Sequence, residues 1–128
     1  MSARILVVDD EADVEMLFRQ QFRREMREGR YRMDFALSGA DALSKLGENG
    51  SLKLILSDIN MPGMSGLELL PQIKLAHPGL PVMMLTAYGD ADTRSQAISL
   101  GALDLFSKPV DFAALKQRIN LQLSETGG

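Results

Sequence analysis

The chain has 128 residues, a single-domain length that buries roughly two-thirds of its unfolded surface. Apolar residues at 45% and charged residues at 24% are ordinary for a globular protein, and no apolar run approaches the ~20 residues that span a bilayer. The net charge of −3 is mild, while the lack of cysteine excludes disulfides and thiolate zinc sites and fits a reducing, cytoplasmic location.

Short apolar runs alternate with helical patterns five times along the chain. The start, MSAR before ILVV, is too short and too weakly basic for a signal peptide. RILVV (4–8) precedes a predicted helix over 11–28, in which Val14, Phe18, Phe22 and Met26 recur every fourth position with Leu17 alongside. Residues 19–32 hold six Arg against two Glu, a local +4 that leaves −7 for the rest. Aromatics for base stacking are few and no nucleic-acid motif is visible, so the arginines read as a solvated helix face. RMDFA (32–36) follows, and Ser38 opens a helix carrying Ala42, Leu43 and Leu46. Ser38 and Asp41 have the spacing of a capping box. KLILS (53–57) passes through a turn at Pro62-Gly63 into a third helix, with Ser65 and Glu68 spaced in the same way. Pro71 falls near the first turns of that helix, where a missing N–H costs less. His77, the one histidine, reads as its terminating residue. PVMML (81–85) precedes a fourth helix over 90–100, and LDLFS (103–107) a fifth over 111–124.

Five continuously apolar strands, each followed by a helix, predict an α/β fold: a parallel sheet with helices on both faces. Residues 1–124 form one domain, and 125–128 read as a tail or the start of a linker. Ligands of such a sheet gather at the carboxyl ends of its strands. The polar residues just after each strand are Asp9, Asp10 and Glu11; then Asp58 and Asn60; then Thr86; then Ser107, Lys108 and Pro109. Two carboxylates ~5 Å apart repel by about 3 kcal/mol at an effective dielectric of ~20, so these acids call for protons or a cation. Oxygen ligands at a shallow site suit Mg²⁺. A cation, an ammonium and a hydroxyl together suit a phosphoryl group. No glycine-rich nucleotide cradle is present, so the phosphoryl is expected to be held covalently, with Asp58 as the candidate nucleophile.

VVDDE (7–11), SDINMPGMSG (57–66), LTAYG (85–89) and SKP (107–109) together resemble the receiver domain of two-component response regulators, over residues 4–122. The resemblance implies a flavodoxin-like, doubly wound five-stranded sheet in the order 2-1-3-4-5. It implies that a histidine kinase or histidine phosphotransfer protein phosphorylates Asp58. Asp10 and Asp58 would bind Mg²⁺ directly, Asp9 through water and Asn60 through its backbone carbonyl. Thr86 and Lys108 would contact the phosphoryl oxygens, and a cis peptide would precede Pro109. The phosphoryl would then shift the face made by the fourth helix, fifth strand and fifth helix, controlling a partner or a fused output domain.

Four features depart from that pattern or add to it. The position of the usual switch aromatic, three residues before the lysine, is Leu105, and strand alternation points Phe106 to the other side of the sheet. Tyr88 and Asn60 are placed to screen an acyl phosphate from water. The arginine-rich first helix and its exit run about one turn longer than is common, which makes them a candidate partner surface. Leu121, about 180° from Phe112, Leu115, Ile119 and Leu123 on the last helix, offers a homodimer contact. Direct nucleic-acid or membrane binding by this domain is not expected. Two rivals remain: a hydrolase with an aspartyl nucleophile, which would want D-x-D after the strand and a cap, and a receiver used only as a scaffold.

Overall fold

Apolar residues on both sides of a strand are buried only when both faces of the sheet are covered, and the apolar runs of this chain meet that condition. The computed structural model describes residues 3–46 and 52–125. Its strands are β1 (Ala3–Val8), β2 (Tyr31–Ala36), β3 (Leu52–Asp58), β4 (Val82–Thr86) and β5 (Asp104–Ser107). All pair in parallel in one sheet, in the expected order β2-β1-β3-β4-β5. The helices are α1 (Ala12–Gln21), α2 (Arg23–Arg27), α3 (Gly39–Leu46), α4 (Gly66–Ala76), α5 (Ala91–Ser99) and α6 (Phe112–Glu125). The expected strands agree with these to within one residue at each end. Among the described residues, no helix is long and apolar enough to cross a membrane.

Strand alternation divides the core into two layers. Ile5, Val7, Leu54, Leu56, Met83 and Leu85 pack with Phe18, Phe22, Leu115 and Ile119, the side of α1, α2 and α6. Leu6, Val8, Ile55, Val82 and Met84 pack with Ala42, Leu46, Leu69, Ile73 and Ala97, the side of α3, α4 and α5. Leu105 lies in the second layer and Phe106 borders the first, as alternation requires. The opposite face of α6 leaves Leu121 59% exposed.

Two local expectations are corrected. The single helix over 11–28 breaks at Phe22, where φ −104 and ψ 14 separate α1 from α2. Phe22 is fully buried, 5.8 Å from the Phe18 ring, 6.0 Å from Tyr31 and 6.1 Å from Phe112. That aromatic packing outweighs regular helix geometry, and it makes the expected fourth and fifth helices α5 and α6. Ser38 Oγ accepts from the Asp41 N–H as foreseen, but the Asp41 carboxylate reaches back to the Leu37 N–H, not to Ser38. Pro71 stands in the second turn of α4, near the helix start as expected; its ring is exposed. α6 runs to Glu125, and the rest of the expected tail, residues 126–128, lies outside the described residues. The box of Ser65 and Glu68 forms in full, and His77 caps the end of α4.

Candidate functional site

Four strands deliver their carboxyl ends to one edge, and the backbone fixes each site residue there. Asp9 follows β1, and its N–H donates to the Ala36 carbonyl at 3.0 Å. Asp58 closes β3, in register with Leu85, and the next residue, Ile59, donates to the Leu85 carbonyl at 2.9 Å. Lys108 follows β5 and donates its N–H to the Thr86 carbonyl at 2.7 Å. The Lys108–Pro109 peptide is cis, as the resemblance implied.

Three carboxylate oxygens, one each from Asp9, Asp10 and Asp58, lie within 4.8 Å of one another. Asp9 and Asp58 are buried, at 4% and 3% exposure. The Lys108 ammonium reaches across from the far edge of the sheet to Asp9 at 2.9 Å and Asp58 at 3.4 Å. The second Asp9 oxygen accepts from the Glu11 N–H at 3.0 Å. Burial, then the Asp9 carboxylate, raise the Asp58 pKa above its ordinary 3.8, against the opposing pull of Lys108 and the Asn60 N–H. Burial works against the Lys108 charge, yet its bonds to Asp9 and Asp58 outweigh burial and raise its pKa above 10.5. A buried carboxylate that resists ionisation, beside one fixed ammonium, is chemically a place for a further cation and for an anion that both cations can hold.

Thr86 is fully buried at the end of β4, and its hydroxyl accepts from the Tyr88 N–H at 3.0 Å, which leaves its own O–H to donate. Asn60 is exposed, and its backbone N–H bonds to Asp58. Tyr88 is 70% exposed. Leu105 is 6% exposed and already faces inward.

Two positioning residues went unremarked in the sequence. The Ser57 hydroxyl donates to the Asp58 carbonyl at 3.0 Å. Gly66, inside the SDINMPGMSG stretch, lets α4 approach the strand end: a Cβ there would collide with the Asp58 carbonyl oxygen and lie 2.8 Å from Ile59 Cα. A glycine directly after a predicted N-cap was the available signal, since a close backbone approach favours it.

This geometry meets a matching sequence record. The family described as response regulator receiver domain matches residues 5–120, and the chain belongs to it. The chain is 38% identical over 95% of its length to the transcriptional regulatory protein ZraR of Klebsiella oxytoca, but spans 26% of that protein. It is 32% identical over 96% of its length to sporulation initiation phosphotransferase F of Bacillus subtilis, covering 95% of that protein. A response regulator receiver domain protein from Clostridium thermocellum superimposes with a TM-score of 0.87 at 29% identity, covering 98% of this chain and 97% of that one. Receiver domains are phosphorylation-controlled signalling modules, and this chain is one of them by family, fold and acidic cluster.

Proposed function

We propose that Asp58 is the phosphoacceptor of a cytoplasmic signalling switch, charged by a histidine kinase or a histidine phosphotransfer protein. The observation that carries this reading is the meeting of Lys108 with Asp9 and Asp58 at 2.9 and 3.4 Å beside Asp10. An Asp58 oxygen attacks the phosphorus of the donor's phosphohistidine; the O–P bond forms as the P–N bond breaks, and the imidazole leaves with the electron pair. The strand end holds the nucleophile rigidly, so little freedom is lost in reaching the transition state. The Lys108 ammonium shifts from carboxylate to phosphoryl oxygen, and the Thr86 O–H donates to another. Water later attacks the phosphorus of the acyl phosphate, the O–P bond to Asp58 breaks, and inorganic phosphate leaves as the carboxylate is restored.

The donor set fits Mg²⁺, being oxygen only and short of positive charge by the measure of the raised Asp58 pKa. Asp10 and Asp58 would hold the ion directly, with Asp9 through water and the Asn60 carbonyl completing the protein's share. When bound, it offsets the charge of the incoming phosphoryl oxygens. The Thr86 hydroxyl accepts from the Tyr88 N–H, so drawing it toward the phosphoryl pulls on the loop that leads into α5. The face of α5, β5 and α6 then presents differently to a partner or to a fused output domain.

Intact mass after incubation with acetyl phosphate and Mg²⁺ tests this. One added phosphoryl group is expected on the parent, none on Asp58→Asn and none on the parent in chelator. Equal modification of parent and variant would remove Asp58 from the role.

A further inference from the structure

We propose that the outer face of α1 and α2 is a docking surface for an acidic helix of another protein, read by Arg23, Arg24 and Arg27. Residues 19–32 carry six arginines and two acids in sequence, which alone describes a partly self-compensated face. The fold withdraws one of these acids and pairs the other. Glu25 turns inward, 7% exposed, where the Lys116 ammonium of α6 meets it at 3.0 Å and Arg30 at 4.0 Å. Glu28 pairs with Arg30 at 3.2 Å. Three arginines are already occupied: Arg30 by these acids, Arg19 by Glu15 at 3.0 Å and by the Phe35 ring at 4.7 Å, and Arg32 by Asp34 at 3.9 Å. Arg23, Arg24 and Arg27 are exposed and form no ion pair with any described residue. Uncompensated positive charge is thus concentrated on one short helix of a chain whose net charge is −3.

The helix is also held firmly. Phe22 at its start is fully buried, Glu25 ties it to α6, and the Tyr31 hydroxyl just beyond donates to Asn120. Guanidinium groups on a fixed backbone lose less freedom on docking than groups on a mobile tail. Met16, 70% exposed, and Leu17, 42% exposed, precede the arginines on the outer side and add an apolar contact at one end. A partner helix with carboxylates at i, i+4 and i+7 and one apolar residue matches this order, through charge-assisted Arg–carboxylate bonds. Nucleic acid fits less well, because α1 and α2 expose no aromatic ring for stacking. A bilayer fits less well, because the apolar side of these helices, Phe18 and Phe22, is packed in the core and cannot insert.

This surface stands apart from the chemistry at Asp58, and its test needs neither phosphodonor nor Mg²⁺. The probe is a synthetic amphipathic peptide with glutamates at those intervals and a terminal leucine, followed by fluorescence anisotropy. A scrambled peptide of equal charge, a duplex DNA oligomer and phosphatidylglycerol vesicles are run beside it. The designed peptide is expected to bind the full chain, and R23E/R24E/R27E to weaken it about tenfold, the effect of roughly 1.4 kcal/mol. K53E, a reversal at an exposed lysine on β3, is expected to bind as the parent does. If melting shows the triple reversal unfolded, R23A/R24A/R27A carries the same comparison. Equal binding by parent and folded variant overturns the proposal, as does tighter binding of DNA, vesicles or scrambled peptide through the same arginines.

Discussion

Asp58 is buried at 3% exposure and faces Asp9, so its ionisation works against the fold. Its folded-state pKa lies above 3.8, and protonation therefore favours the folded chain: that contribution is complete below pH 3.8 and is lost as pH rises through the folded value. In chelator at neutral pH, Asp58→Asn is expected to melt above the parent, by about 4 °C for each kcal/mol relieved. The gap should close as acid titrates the parent carboxyl; a gap independent of pH would place the strain elsewhere. Mg²⁺ should raise the melting temperature of the parent more than that of the variant. Gly66 makes a second prediction at this scale. Gly66→Ala sets a methyl against the Asp58 carbonyl and Ile59 Cα, which is expected to cost about 1–3 kcal/mol and to slow phosphorylation by acetyl phosphate. Unchanged melting and rate would show that α4 can slide without moving the nucleophile.

At the scale of elements, the strands were legible because a run such as LILS is apolar on both faces and needs only local information. The break between α1 and α2 was not, because it depends on Phe112 and Lys116, far along the chain. Glu25 belongs to the same junction. Burial opposes its charge, yet its backbone hydrogen bond and Lys116 together hold its pKa below 4.5. Its contribution is therefore present above pH 4.5 and lost as pH falls through the folded value. Urea titrations should find Glu25→Gln less stable than the parent at neutral pH, with the difference shrinking in acid. A different lock holds α5. Among the described residues, Ala97 is the one α5 side chain that is fully buried. Arg94 ties the helix to β5, with Asp104 at 3.0 Å and the Leu105 carbonyl at 3.3 Å, while Arg118 of α6 meets Asp104 at 3.2 Å. Sparse packing with a polar clamp suits an element that must move. Asp104→Asn is expected to cost about 1–2 kcal/mol and to speed amide exchange in α5 more than in α4. Equal exchange in both helices would show that the clamp does not hold α5.

Over the whole molecule, the sheet brings together residues the sequence keeps apart, and Lys108 meets Asp9 across 99 positions. That convergence was readable in advance, since a parallel sheet aligns its strand ends and the acids, Thr86 and Lys108 all fall there. The direction of each side chain was not readable: Tyr88 turns to solvent, and the Thr86 hydroxyl accepts from the Tyr88 N–H. The loss of acid from the arginine face was hidden too, because only the packing of α2 on α6 turns Glu25 inward. The central claim is a covalent phosphate on one side chain, and trapping tests it most directly. Borohydride reduces an acyl phosphate to an alcohol, so aspartyl phosphate becomes homoserine, which tandem mass spectrometry locates. After acetyl phosphate and Mg²⁺, homoserine is expected at position 58 alone; homoserine at position 9 or 10, or none anywhere, would contradict it.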